Sequence, residues 1–154
     1  MASNQNPLTA DPALLLDNQL CFALYSTSLA MTKIYKPLLE ALGLTYPQYL
    51  VMLVLWEQDH LAVSDLGKKL YLDSGTLTPL LKRMEASGLL ARSRSTEDER
   101  RVNIVLTDAG RQLRARASTI PACVLSASQC PLPELVFLTQ QVQALRARLT
   151  TAGS

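Results

Sequence analysis

Histidine occurs once in this chain, cysteine three times, and aromatic residues make up only 5% of it. His60 sits in the polar stretch Glu57-Gln58-Asp59-His60 and reads as a solvated loop residue. Cys21, Cys123 and Cys130 form no Cys-x-x-Cys pair, so a structural zinc site would be short of ligands. An odd number of thiols also argues against a disulfide framework. No metal and no cofactor are expected. No run of eighteen apolar residues exists, so no membrane span is expected. Residues Met1 to Asp11 are polar and lack the apolar centre of a signal peptide, which points to a cytoplasmic protein.

Charge of either sign is also scarce in the balance: the net value is +2, too little to argue for nucleic acid by itself. Its distribution says more. Residues 1–60 carry a net −3, residues 61–116 a net +4, and residues 117–154 a net +1. The basic excess therefore falls on one segment, as the electrostatic footprint of a DNA-binding unit does. Ordinary surface charge is the competing reading.

That segment, Val63 to Gly110, has the order of a winged helix-turn-helix. Ser64 is expected to cap a short helix through about Leu70, and Asp73 or Ser74 a second one that stops at Gly88. Leu77, Leu80, Leu81 and Met84 share the spacing of one buried face. Ser74, Gly75, Thr76, Thr78, Pro79, Lys82 and Arg83 fall largely on the other. Small polar residues at the start of a helix suit base edges, and basic ones further along suit phosphates. A plain surface helix accommodates Pro79 poorly, since an interior proline costs about 3 kcal/mol. Leu89 to Ser95 and Arg101 to Leu106 alternate as two strands about a polar tip, 96–100. Arg92, Arg94, Arg100 and Arg101 place four guanidiniums on this hairpin, where arginine can enter a minor groove. Asp98 is placed to hold Arg100. A solvated, salt-bridged hairpin is the alternative.

Helices flank this unit. Leu14 to Leu42 reads as helix, with a break or new first turn at Pro37, a stop at Gly43 and a cap at Thr45. Residues from about Pro47 to Gln58 are apolar nearly all round, as in a helix at the centre of a domain. Thr107-Asp108 caps a helix from about Ala109 to Ser126 that Pro121 bends. Cys130-Pro131-Leu132-Pro133 is a turn, and Glu134 to about Leu149 is amphipathic through Leu135, Leu138, Val142, Leu145 and Leu149. The fold expected is mainly α with a small β-hairpin wing: a winged helix-turn-helix with N- and C-terminal dimerisation helices. The terminal helices need a partner surface, and a symmetric homodimer supplies it. Two recognition helices would then lie about 34 Å apart.

Cys21 and Tyr25 are four residues apart and can share a helix face. Five tyrosines outnumber two phenylalanines and one tryptophan. Phenolic donors around a thiol favour the reactive thiolate. Cys21 as an inert buried small hydrophobe is the opposing reading.

The chain resembles the MarR family of winged-helix regulators over nearly its whole length. The wing stretch Asp98 to Gly110 is similar to that family's Asp-x-Arg … Leu-Thr-x-x-Gly pattern. The blocks Leu15–Tyr25, Leu44–Glu57 and Leu72–Arg83 resemble the organic hydroperoxide resistance regulators, two-cysteine type. The resemblance implies a single MarR-like domain over 1–154, with dimerisation helices at about 12–45 and 108–150 and the DNA-binding core at about 47–107. It implies a homodimeric repressor, not an enzyme, that binds a pseudo-palindromic double-stranded DNA operator and lets go when an organic hydroperoxide oxidises one cysteine. Cys21 matches that redox-sensing cysteine, Tyr35 and Tyr46 the tyrosines that hydrogen-bond it, and Tyr25 a third pocket tyrosine. Ser74, Thr76 and Thr78 match the recognition helix, with Lys82, Arg83, Arg92 and Arg94 beside it. Arg100 matches the wing arginine, with Asp98 as its salt-bridge partner. The resolving cysteine falls on Ser126, between Cys123 one turn before and Cys130 one turn after. Two readings stand: Ser126 replaces a cysteine to trap the reduced or sulfenic state, or Cys123 or Cys130 resolves instead. The near-isosteric serine in an otherwise intact block favours the first. A MarR-type repressor answering to a phenolic ligand, and a thiol peroxidase using Cys21, are the alternative functions.

Overall fold

The computed structural model describes residues 12–153. The N-terminal stretch read above as polar, residues 1–11, lies outside them. Two short 3₁₀ turns, Pro12–Leu14 and Leu16–Asn18, lead into α1 (Leu20–Glu40). Asn18 and Gln19 fold back onto the carbonyls of Pro12 and Ala13, each at 2.6 Å, so the helix begins later than the expected Leu14. Pro37 does not break α1. It lies in the last turn on an exposed side, where water can take the carbonyl that proline leaves without a donor. The helix ends where Gly43 adopts φ +71°: the Leu44 amide donates to the Leu39 carbonyl and the Gly43 amide to that of Glu40, both at 3.0 Å.

Thr45 then starts α2 (Tyr46–Glu57) through a reciprocal capping box with Gln48. This helix is the centre of the molecule: Tyr49, Val51, Met52 and Leu55 are buried. A short strand β1 (Leu61–Ala62) runs straight into α3 (Val63–Leu70). Ser64 is therefore inside α3 and makes no cap; Ala62 stands at that position with no side-chain bond. β1 is too short to show an alternation in sequence. It exists because Leu61 and Ala62 pair antiparallel with Ile104 and Asn103.

Asp73 caps α4 (Ser74–Ala86), its carboxylate accepting from the Thr76 amide at 2.8 Å. Leu77, Leu80, Leu81 and Met84 are buried as their spacing requires. Pro79 sits within α4 without ending it, on the exposed face. The hairpin follows as β2 (Leu90–Arg94) and β3 (Val102–Leu106), so the sheet order is β1-β3-β2. Thr107 caps α5 (Asp108–Ala117) by accepting from the Gly110 amide at 3.1 Å. The single bent helix expected here is two helices. α5 stops before Ser118, and Pro121 sits in the first turn of α6 (Ile120–Ser128), where its missing N–H costs nothing. Gln129 at φ 56° and Pro131 turn the chain by 98° into α7 (Leu132–Ala152).

Gly110 explains much of the tightness of this join. A Cβ there would stand 2.1 Å from the Leu89 carbonyl oxygen, and the Gly110 carbonyl accepts the Trp56 indole N–H at 2.9 Å. One residue thus ties α5 to the wing and to the central helix. No single helix among the described residues is long and apolar enough to cross a membrane.

Candidate nucleic-acid interface and sensing cysteine

α4 is anchored by its apolar face, so its opposite face is fixed outward. Ser74, Gly75, Thr76, Lys82 and Arg83 are exposed there and Thr78 is half-buried. A cleft of about 430 Å³ separates this helix from the wing; Ser64, Ser74, Thr78, Arg92, Asp98, Arg100 and Arg101 are among the residues that line it. Recognition helix and wing therefore face one concavity, on a basic part of the chain.

The four hairpin arginines divide into two pairs. Arg92 is held by Glu85: its amide donates to Oε2 at 2.7 Å and its Nε to Oε1 at 3.3 Å. Arg101 reaches Asp65 of α3 at 2.8 Å. Both brace the wing against the helix-turn-helix, and their charge is already neutralised. Arg92, expected as a DNA contact, lines the cleft and is also paired with Glu85. Arg94 and Arg100 have no ion-pair partner among the described residues, and nor do Lys82 and Arg83, so four cations stay free for phosphates. Asp98 meets Arg100 at the backbone: the Arg100 amide donates to Asp98 Oδ1 at 3.0 Å. That replaces the side-chain salt bridge expected between them. The Asp98 carbonyl also accepts the Arg101 amide, and Ser95 Oγ accepts from Glu97 and Asp98, so the wing tip is a set of local turns.

Two carboxylates in this unit are held below their usual range. For Asp73 the main cause is the Thr76 amide. For Glu85 it is the Arg92 amide, which outweighs desolvation, with the guanidinium adding to it. Both groups are bound in the ionised form by the backbone they order.

Cys21 lies in the first turn of α1 and is exposed, as is Tyr25 one turn on, at 63%. Tyr35 and Tyr46 come together, ring centroids 5.0 Å apart. Tyr49, overlooked in the sequence, completes the cluster at 5.8 Å from Tyr35, and its edge contact with Trp56 fixes it to the core. The i, i+3 spacing of Tyr46 and Tyr49 was the available signal. Burial pushes all three phenols above their usual value, and for Tyr35 the neighbouring phenols add to it. They stay protonated donors at neutral pH. Their hydroxyls make no hydrogen bond within the described residues, and none is sealed from solvent.

Within one chain Cys21 does not meet this cluster. Fourteen residues separate it from Tyr35, about 21 Å along α1. The first half of α1 stands off the core, with Leu20, Phe22, Leu24 and Leu29 exposed. α7 buries no side chain and exposes Val136, Phe137, Leu138, Val142 and Leu149. Cys123 and Ser126 are exposed on α6, three residues apart. Cys130 is not on that helix: α6 has ended, and Cys130 lies half-buried in the turn, its amide donating to Ser128 Oγ at 3.3 Å.

The family described as transcriptional regulator SarA/Rot matches residues 33–116. The chain is 58% identical over 114 residues to an organic hydroperoxide resistance transcriptional regulator of Bacillus subtilis, covering 74% of this chain and 78% of the relative. The structure of reduced AbfR bound to DNA superposes with a TM-score of 0.74 at 36% identity, over 88% of this chain and 94% of that one. Disulfide-formed AbfR superposes less well, with a TM-score of 0.58 at 39% identity over 84% of this chain and 91% of that one.

Proposed function

Since the chain belongs to the SarA/Rot family of transcriptional regulators and, within the MarR-type winged-helix regulators, to those of organic hydroperoxide resistance, we propose that it is a homodimeric repressor that releases its operator when an organic hydroperoxide oxidises Cys21. It is a regulator and not a thiol peroxidase: its relatives are named as regulators, and its fold is a DNA-binding winged helix. It works in the cytoplasm, where its DNA is. The single observation that carries the reading is the separation of Cys21 from the tyrosine cluster, together with the open phenols at one end and the unpartnered thiol at the other. A second copy satisfies both. The first half of α1 and the apolar side of α7 supply its interface, and Cys21 of one subunit then meets Tyr35 and Tyr46 of the other. Residues 12–45 and 108–150 act as dimerisation elements of a single domain around the core at 47–107.

In that arrangement protonated phenols donate to the Cys21 thiolate. The thiolate attacks the terminal peroxide oxygen, the S–O bond forms as the O–O bond breaks, Cys21 becomes a sulfenic acid, and the departing alkoxide takes a proton from solvent to leave as the alcohol. A thiol that attacks this sulfur forms a disulfide and releases water. Ser126 cannot supply that thiol; Cys123, one turn earlier on the exposed side of α6, and half-buried Cys130 beyond its end do not occupy its position, so oxidation stops at the sulfenic acid. On the DNA side, Ser74, Thr76 and Thr78 face base edges, while Lys82, Arg83, Arg94 and Arg100 meet phosphates or the minor groove. The closer likeness to reduced, DNA-bound AbfR than to its disulfide form supports reading this conformation as the DNA-competent one.

A band-shift titration on a palindromic operator tests the reading. The reduced chain and Cys21→Ser both bind, and organic hydroperoxide releases only the former. Release of Cys21→Ser by peroxide, or failure of the reduced chain to bind DNA, contradicts it.

A further inference from the structure

α7 buries none of its own side chains in its chain, yet it holds one specific contact with the helix-turn-helix. The Arg146 guanidinium carbon lies 4.2 Å from the centre of the Tyr71 ring. Tyr71 is no ordinary surface tyrosine. It closes α3 in the left-handed region, φ 58° and ψ 36°, where side chains with a Cβ are disfavoured and glycine is the usual residue. Its ring is 59% exposed, so burial does not explain why a tyrosine is kept in that conformation. Two residues later Asp73 caps α4. The Leu72 amide donates to the Gly67 carbonyl at 3.0 Å, and a Cβ on Gly67 would stand 2.7 Å from the Leu72 carbonyl oxygen, so the turn is rigid. Tyr71 is thus joined by a closely packed turn of two residues to the start of α4.

We propose that Arg146 and Tyr71 are positioning residues for operator binding: their stacked contact couples α7 to the turn before α4 and so sets the distance between the two recognition helices. The inference rests on α7 as a dimerisation element. In a symmetric dimer the two α4 helices must match two half-sites about one helical turn of DNA apart. With α7 in the dimer interface, this cation–π contact gives a direct path from α7 to the turn before α4, beside the path that runs from α1 through α2. Arg146 acts through Tyr71 and needs no DNA contact of its own.

The test compares the full chain with Arg146→Ala, Tyr71→Phe and Tyr71→Gly on three operators: native spacing, and one base pair inserted or removed between half-sites. Dimer mass and wild-type binding are checked first, and a wild type that binds no DNA or is monomeric sinks the reading of function instead. Arg146→Ala is expected to lose about two- to five-fold affinity for the native operator, the size of an exposed cation–π pair. It is also expected to lose discrimination between spacings. Tyr71→Phe keeps both, because the ring remains. Tyr71→Gly relieves the left-handed backbone, so its melting temperature holds or rises while discrimination falls; a role in stability alone would not separate those readouts. Unchanged affinity and spacing preference in Arg146→Ala overturn the proposal. So does a loss that is equal on all three operators and lowers the salt dependence by about one ion, which marks Arg146 as a direct phosphate contact.

Discussion

Glu85 of α4 grips Arg92 of β2 through both backbone and side chain: the Arg92 amide donates to one carboxylate oxygen at 2.7 Å and its Nε to the other at 3.3 Å. Recognition helix and wing are thus one rigid piece held by an ionised group. The Glu85 carboxyl has a lowered pKa in the folded chain, so folding favours its charged form. Its contribution is present above the unfolded carboxyl value, near 4.3, and is lost as pH falls through the lower folded value. Thermal melts from pH 3 to pH 7 should therefore show Glu85→Gln less stable than wild type at neutral pH and the difference closing in acid. A gap that is constant across that range would show that the charge is not what holds the wing.

Gly110 is expected to be intolerant. Alanine there drives a Cβ into the Leu89 carbonyl, a backbone atom that cannot swing aside. Urea denaturation of Gly110→Ala should show a loss of about 3 kcal/mol, the upper end of overpacking costs. Gly75→Ala, whose Cβ would lie 3.3 Å from Asp73 Oδ1, should shift stability by no more than about 0.5 kcal/mol.

At the wing, Arg100→Ala should weaken operator binding about tenfold, roughly 1.4 kcal/mol. Because Asp98 orders the Arg100 amide and not its guanidinium, Asp98→Asn should keep most of the affinity and Asp98→Ala should not. Lys82→Ala should weaken binding to every sequence alike and lower the slope of log K against log salt by about one. Fluorescence anisotropy at several salt concentrations separates these outcomes.

The pairing of Cys21 with the other subunit's tyrosines has its own test. A mixed dimer of one Cys21→Ser chain and one Tyr35→Phe/Tyr46→Phe chain holds one intact site if the site is shared between subunits, and none if it lies within a chain. Rapid-mixing measurement of thiol oxidation should give the wild-type rate at half the stoichiometry. A uniformly slow reaction would place the site within one chain.

What was legible in the sequence was whatever depends on neighbours a few residues away. Thr45 and Thr107 are readable as caps, and Asp73 as one of two candidates, because their partners lie three residues on; the same reading fails at Ser64, which lies inside α3. The buried face of α4 follows from period alone. What depends on distant partners was not legible. β1 exists only through its pairing with β3. Arg92 and Arg101 look like free cations until Glu85 and Asp65 are brought beside them. Pro37 and Pro121 read alike as disruptions, yet one sits harmlessly in a last turn and the other opens a new helix. At the sensing site the residue types were readable. The packing of Tyr35 on α1 against Tyr46 and Tyr49 of α2 was not, because it depends on how two helices meet.

The most direct test of a redox-controlled repressor follows operator occupancy by anisotropy as organic hydroperoxide is added stepwise to the reduced dimer, with Cys21 oxidation counted by mass spectrometry in the same samples. Occupancy should fall in step with one oxygen gained per Cys21. Release should be partial and reversed by thiol, since a disulfide typically supplies about 2–4 kcal/mol of the roughly 5.5 kcal/mol needed for a full switch and Ser126 cannot form one. Ser126→Cys should make release more complete through a disulfide to the partner subunit. Full operator occupancy with Cys21 stoichiometrically oxidised, or release before Cys21 is oxidised, would contradict the account.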